Sequence, residues 1–95
     1  MNLDQLKLAI KNKEKLRIID IREASEIKNK LPEAEHIPRG QVFVDVSSNK
    51  ISKKDKLIFI CKSSGRCQIV ADKLKEKGFD VDFLEGGMDE WEVKK

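Results

Sequence analysis

The sequence predicts an α/β fold in which a small, mostly parallel sheet carries helices on both faces. Three observations predict it. Strand-like and helix-like segments alternate along the 95 residues, the order that βαβ units with right-handed crossovers produce. Leu57 to Ile60 is an unbroken apolar run, as expected of a strand covered on both faces. From Cys67 onward, Val70, Ala71 and Leu74 fall at i+3, i+4 and i+7, the spacing of a helix with one apolar stripe.

Taken in order, Leu3, Leu6, Ala9 and Ile10 recur at helical steps, so residues 3–12 read as a short amphipathic helix capped by Asn2. Leu16 to Ile21, "LRIIDI", reads as a strand. Glu23 to Lys30 reads as a polar helical turn or two, ended ahead of Pro32, because a proline disfavours helical geometry in the residue before it. Pro38 and Gly40 mark a loop. In "QVFVDVS", Val42, Val44 and Val46 alternate at a period of two, a strand signal, and the polar stretch after it reads as a surface connection. Gly78 stops the helix that begins near Arg66 or Cys67. Residues 80–84 form a last strand, Gly86 and Gly87 a turn, and "MDEW" a closing helical turn.

Residues 1–95 are expected to form a single domain, since a chain of this size buries roughly 60–70% of its unfolded surface and needs no metal or disulfide staple. Hydrophobic and charged residues each make up 39% of the chain and aromatics only 5%, which suits a thin core under a heavily charged surface. Twenty basic residues against seventeen acids leave a net charge of +3. Along the chain the basic residues alternate with acids, and Tyr is absent. Nucleic acid is therefore not an expected partner. No apolar run approaches the ~20 residues that cross a bilayer, and the N-terminus lacks a basic-then-apolar leader, so no membrane is expected and the cytoplasm is the expected compartment. Two cysteines five residues apart make neither a disulfide framework nor a zinc site. No metal and no cofactor are expected.

Those cysteines carry the chemistry. Cys61 is the first residue past the apolar strand, and ligand sites of open α/β sheets lie beyond the carboxyl ends of the strands. Lys62, Ser63, Ser64, Gly65 and Arg66 are short or flexible enough to curl, so that backbone N–H groups can line an anion nest around the sulfur, with a helix start adding its positive end. A free thiol has a pKa of ~8.5, and lowering it by two units takes about 2.7 kcal/mol. A helix terminus supplies only ~0.3–1 kcal/mol, so the nest and the charges of Lys62 and Arg66 have to supply the rest. The same cradle suits a persulfide. The plainer reading is a buried core cysteine ending a strand.

Four landmarks from about Leu16 to Trp91 resemble the single-domain rhodanese family of sulfurtransferases: "IIDIRE", "EHIP", "CKSSGR" and "LEGGMDEW". The resemblance implies a rhodanese-like α/β fold with a small, mostly parallel five-stranded sheet. It also implies that Cys61 is the nucleophile that takes sulfane sulfur from a small donor anion such as thiosulfate, or from a persulfide donor, and hands it to a thiophilic acceptor or an acceptor protein. Two half-reactions on one nucleophile predict ping-pong kinetics. In this scheme Lys62, Ser63, Ser64, Gly65 and Arg66 bind the substrate, with Arg66 favouring the anion.

Asp20, Arg22 and His36 are expected to give structural support beside the site, and Gly86, Gly87 and Trp91 to be structural. Cys67 is either a packing residue or a thiol that resolves an oxidised or persulfidated Cys61 as a disulfide. Two rival functions remain. One is a non-enzymatic sulfur carrier or protein-binding module. The other is a phosphatase, disfavoured because its loop places five residues between Cys and Arg where this chain has the four from Lys62 to Gly65.

Overall fold

The computed structural model describes residues 2–23, 25, 33–61 and 64–85, those at 64–67 by their backbone alone. Three helices and four strands follow in the order α1 (Leu3–Lys11), β1 (Arg17–Asp20), β2 (Ala34–His36), α2 (Arg39–Ser47), β3 (Lys56–Ile60), α3 (Ser64–Glu76) and β4 (Asp80–Phe83). The strands form one parallel sheet in the order β2-β1-β3-β4. Parallel strands cannot be joined by a hairpin, so the chain crosses by α2 from β2 past β1 to β3, and by α3 from β3 to its neighbour β4.

The pleat divides the core in two. Ile18, Ile58 and Ile60 face the side covered by Leu3 and Leu6 of α1. Ile19, Ile21, Leu57, Phe59, Cys61 and Val81 face the side covered by Val42 of α2 and Val70, Ala71 and Leu74 of α3. Helices therefore cover both faces. Leu57, Ile58, Phe59 and Ile60 are all fully buried, and at ~1.5–3 kcal/mol for each large apolar side chain taken out of water this run anchors the sheet.

The described residues hold four strands of the small parallel sheet. One expectation is corrected: residues 42–46 are helical. Val42 is fully buried and Val44 is 55% exposed, whereas a period of two would place both on one face. Asp45 is buried and Phe43 and Val46 are half-buried, so the apolar face follows helical spacing. Valine's strand preference is weak against the need for a crossover between two parallel strands. The strand that periodicity did not pick out is β2, Ala34–His36, whose end runs into the "EHIP" landmark. The expected helix over residues 23–30 lies largely outside the described residues, and the Gly86–Gly87 turn and "MDEW" wholly so.

The helix ends share one construction. Asn2 caps α1 reciprocally with Gln5, each backbone N–H donating to the other's side chain at 2.8 Å. At their C-termini all three helices close in Schellman motifs. A left-handed residue follows each, namely Lys13 (φ 54°), Asn49 (φ 63°) and Gly78 (φ 91°). Each next N–H then reaches back five residues, from Glu14 to the Ala9 carbonyl, from Lys50 to that of Asp45 and from Phe79 to that of Leu74. The turns that follow enter β1, β3 and β4, so three loops emerge together at the amino ends of the strands.

Candidate functional site

At the opposite, carboxyl end of the sheet, the strands deliver the residues singled out from the sequence. Cys61 directly follows β3, an interior strand, and is fully buried in the core cluster on the α2 and α3 side. The Ile60 carbonyl, just before it, accepts the Ile21 N–H at 2.8 Å, and the Phe59 carbonyl accepts the Leu84 N–H at 2.9 Å. The cysteine is thereby fixed between the ends of β1 and β4. Backbone helix α3 begins at Ser64, earlier than its apolar stripe indicates, so that Ser64, Gly65, Arg66 and Cys67 form its first turn. Lys62 and Ser63 lie outside the described residues, as do the side chains at 64–67.

Asp20 and Arg22 form a buried chelate. The Arg22 backbone N–H donates to Asp20 Oδ1 at 3.1 Å, its Nε to the two carboxylate oxygens at 3.0 and 3.1 Å, and its Nη2 to Oδ2 at 2.7 Å. The side chains are 3% and 1% exposed for Arg22 and Asp20. A charge pair this deep loses hydration comparable with what it gains in attraction, so its main effect is geometric, while removal of either partner alone is costly.

His36 joins the same corner. Its Nε2 lies 2.8 Å from the Arg22 carbonyl oxygen, to which the Nε2–H tautomer donates. The register sets Asp20 opposite both Ile60 on β3 and His36 on β2. Beyond it, the Asp20 carbonyl accepts the Ile37 N–H at 3.0 Å and the Ile21 carbonyl accepts the Arg39 N–H at 3.1 Å, which ties the start of α2 to the end of β1. The structure thus brings Asp20, Arg22 and His36 together beside the strand that ends in Cys61. The "EHIP" stretch marked His36, but the three-residue strand that carries it is too short for a period of two to stand out.

Among the described residues no group of three or more His, Cys, Asp or Glu is arranged to hold a metal ion. No helix among them is long and apolar enough to cross a membrane.

Comparison with known proteins gives a consistent picture. Residues 2–94 match the family model described as "Rhodanese-like domain". The "Putative sulfurtransferase YtwF" of Bacillus subtilis (strain 168) is 36% identical over 92% of this chain and 84% of its own length. The "Putative sulfur carrier protein YrkF" of the same organism is 32% identical over 99% of this chain. That match spans about half, 51%, of the longer relative. Among solved structures, a rhodanese-like domain protein from Staphylococcus aureus superposes with a TM-score of 0.85 at 26% identity, covering 96% of this chain and 88% of the other. A protein from Staphylococcus saprophyticus does so at 0.84 and 30%, covering 95% and 89%.

Proposed function

This chain belongs to the rhodanese-like domain family, and from that premise we propose that it moves sulfane sulfur through a persulfide on Cys61. The observation that carries the reading is the position of Cys61, directly past the carboxyl end of the interior strand β3 and three residues ahead of the start of α3. That is where an open α/β sheet presents its ligand site.

In the first half-reaction the Cys61 thiolate attacks the outer sulfur of thiosulfate. A Cys61 S–S bond forms, the donor's own S–S bond breaks, and its electron pair leaves with sulfite. In the second, cyanide or another thiophile attacks the outer sulfur of the persulfide, and the Cys61 thiolate is regenerated as the leaving group. The terms balance with no cofactor and no net redox change. Lys62, Ser63, Ser64, Gly65 and Arg66 form the binding loop in this scheme, and Asp20, Arg22 and His36 hold the neighbouring strand ends in place. Thiosulfate is the proposed donor and an acceptor protein the proposed destination.

Mass spectrometry after treatment with thiosulfate tests the reading: a gain of one sulfur atom on Cys61, removed by cyanide with release of thiocyanate, is the expected result. An unmodified Cys61 under conditions that keep the chain folded rejects it. The carrier reading has its own support in the similarity to the "Putative sulfur carrier protein YrkF". A persulfide that forms but does not turn over with cyanide selects that reading.

A further inference from the structure

The three Schellman turns that end the helices open into loops that meet at the amino ends of β1, β3 and β4, the pole of the sheet away from Cys61. These loops, residues 12–16, 48–55 and 77–79, carry the lysines Lys13, Lys15, Lys50, Lys53, Lys54 and Lys77 against the acids Glu14 and Asp55. All six lysines are exposed. Asp55 does not offset them freely, because its carboxylate is engaged by Arg17 Nη1 at 3.0 Å.

Between two of these loops runs a groove of about 750 Å³. Ile51, Phe79 and Val46 form its apolar floor, Lys53 and Lys77 contribute its charge, and no carboxylate lines it. Lys53 Nζ stands 5.9 Å from the centroid of the Phe79 ring. It also passes 3.8 Å from where a Cβ on Gly78 would sit, so the lysine lies close over the end of α3.

We infer that this groove is a docking site for an acidic segment of a partner protein, one that sets an apolar side chain against the half-buried Val46 and carboxylates against Lys53 and Lys77. Six lysines spread over three loops complement a chain of several charges better than one small anion, and like-signed charges gathered on one face steer such a partner inward. Nucleic acid is a poorer match. Arg17, the arginine at this pole, has its guanidinium engaged by Glu35, Asp55 and the Lys50 carbonyl, and Phe79 is only 8% exposed, which leaves no platform for a base to stack on. The inference stands apart from the sulfur-transfer reading, since its residues lie at the other end of the sheet and its readout is binding.

Fluorescence anisotropy of the full chain with a labelled synthetic peptide of alternating Glu and Leu tests it, beside the Gln-for-Glu peptide and a short oligothymidine. The acidic peptide is expected to bind and to be released by added salt. Lys53→Glu/Lys77→Glu is expected to weaken it by more than about tenfold, and both controls to bind at least about tenfold more weakly, the loss of two attractive charges or of the whole acidic complement. No binding of the acidic peptide, binding indifferent to the double substitution, or oligothymidine binding as tightly would each overturn the inference. Unchanged thermal unfolding of the variant excludes misfolding as the cause of a loss.

Discussion

The two ends of the sheet use the same pairing of arginine with carboxylate to opposite effect. At the carboxyl end, Arg22 and Asp20 are 3% and 1% exposed and closed on one another. At the amino end, Arg17 is 27% exposed and bridges Glu35, at 2.9 Å, and Asp55, at 3.0 Å. The first pair has displaced water and fixes the corner beside Cys61, whereas the second competes with solvent and only joins a strand to a loop. Burial, not the number of hydrogen bonds, decides which pair the fold depends on.

The largest expected effect tests whether the carboxyl end is the working one. Cys61→Ser should lower thiosulfate-to-cyanide sulfur transfer by more than about a thousandfold, as loss of a nucleophile does, beside a fall of several degrees in the thermal midpoint as a hydroxyl replaces a buried thiol. Retained turnover would move the chemistry elsewhere. Next, Asp20→Asn leaves the Arg22 cation buried beside a neutral partner and should cost about 3–5 kcal/mol, seen as a fall of more than about 12 °C in the unfolding midpoint. Asp20→Leu/Arg22→Met, which removes both charges, should recover most of that loss. A double variant as unstable as the single one would mean that the pair itself, and not the orphaned charge, supports the corner.

Effects at the amino end should be smaller. Gly78→Ala places a side chain at a φ of 91° and should cost about 1–2 kcal/mol in urea unfolding. Arg17→Ala should cost at most about 1 kcal/mol, and a loss as large as that of Asp20→Asn would erase the contrast between the two ends.

The pH dependence sharpens it further. The Arg17 hydrogen bond, with that from the Ser52 backbone, holds the Asp55 carboxyl below its ordinary pKa. A depressed carboxyl contributes stability that is present above the unfolded-state value of about 3.9 and lost as pH falls through the lower folded value. The hydrogen bond to Glu35, ahead of that to Asp55, raises the Arg17 pKa, so the guanidinium stays charged throughout this range. The stability difference between the wild-type chain and Arg17→Ala should therefore be flat from neutral pH down to about pH 4 and shrink below it. A difference that persists in acid would assign it to packing of the arginine's stem.

Much of the fold was legible because the governing signals are local. Asn2 and Gln5 name a cap, Leu57 to Ile60 name a buried strand, and Gly78 names a helix end. Residues 42–46 were not legible in the same way. Their alternating valines satisfy the strand pattern, and nothing within the segment reveals that the chain there has to cross between parallel strands. At the site, the motif stretches marked Asp20, Arg22, His36 and Cys61, but the burial of the thiol and the contact from His36 to the Arg22 carbonyl depend on which strands become neighbours.

The lysines make the same point at larger scale. Along the chain they alternate with acids and look merely solvated, yet three helix ends bring six of them to one pole. The sequence alone determined the family likeness, the cysteine at a strand end and most element positions, since each rests on neighbours within a few residues. Tertiary structure decided the helical state of 42–46, the depth of Cys61 and of the Asp20–Arg22 pair, and the basic groove. Burial and electrostatic potential are sums over residues distant in sequence, and only the folded chain brings those residues together.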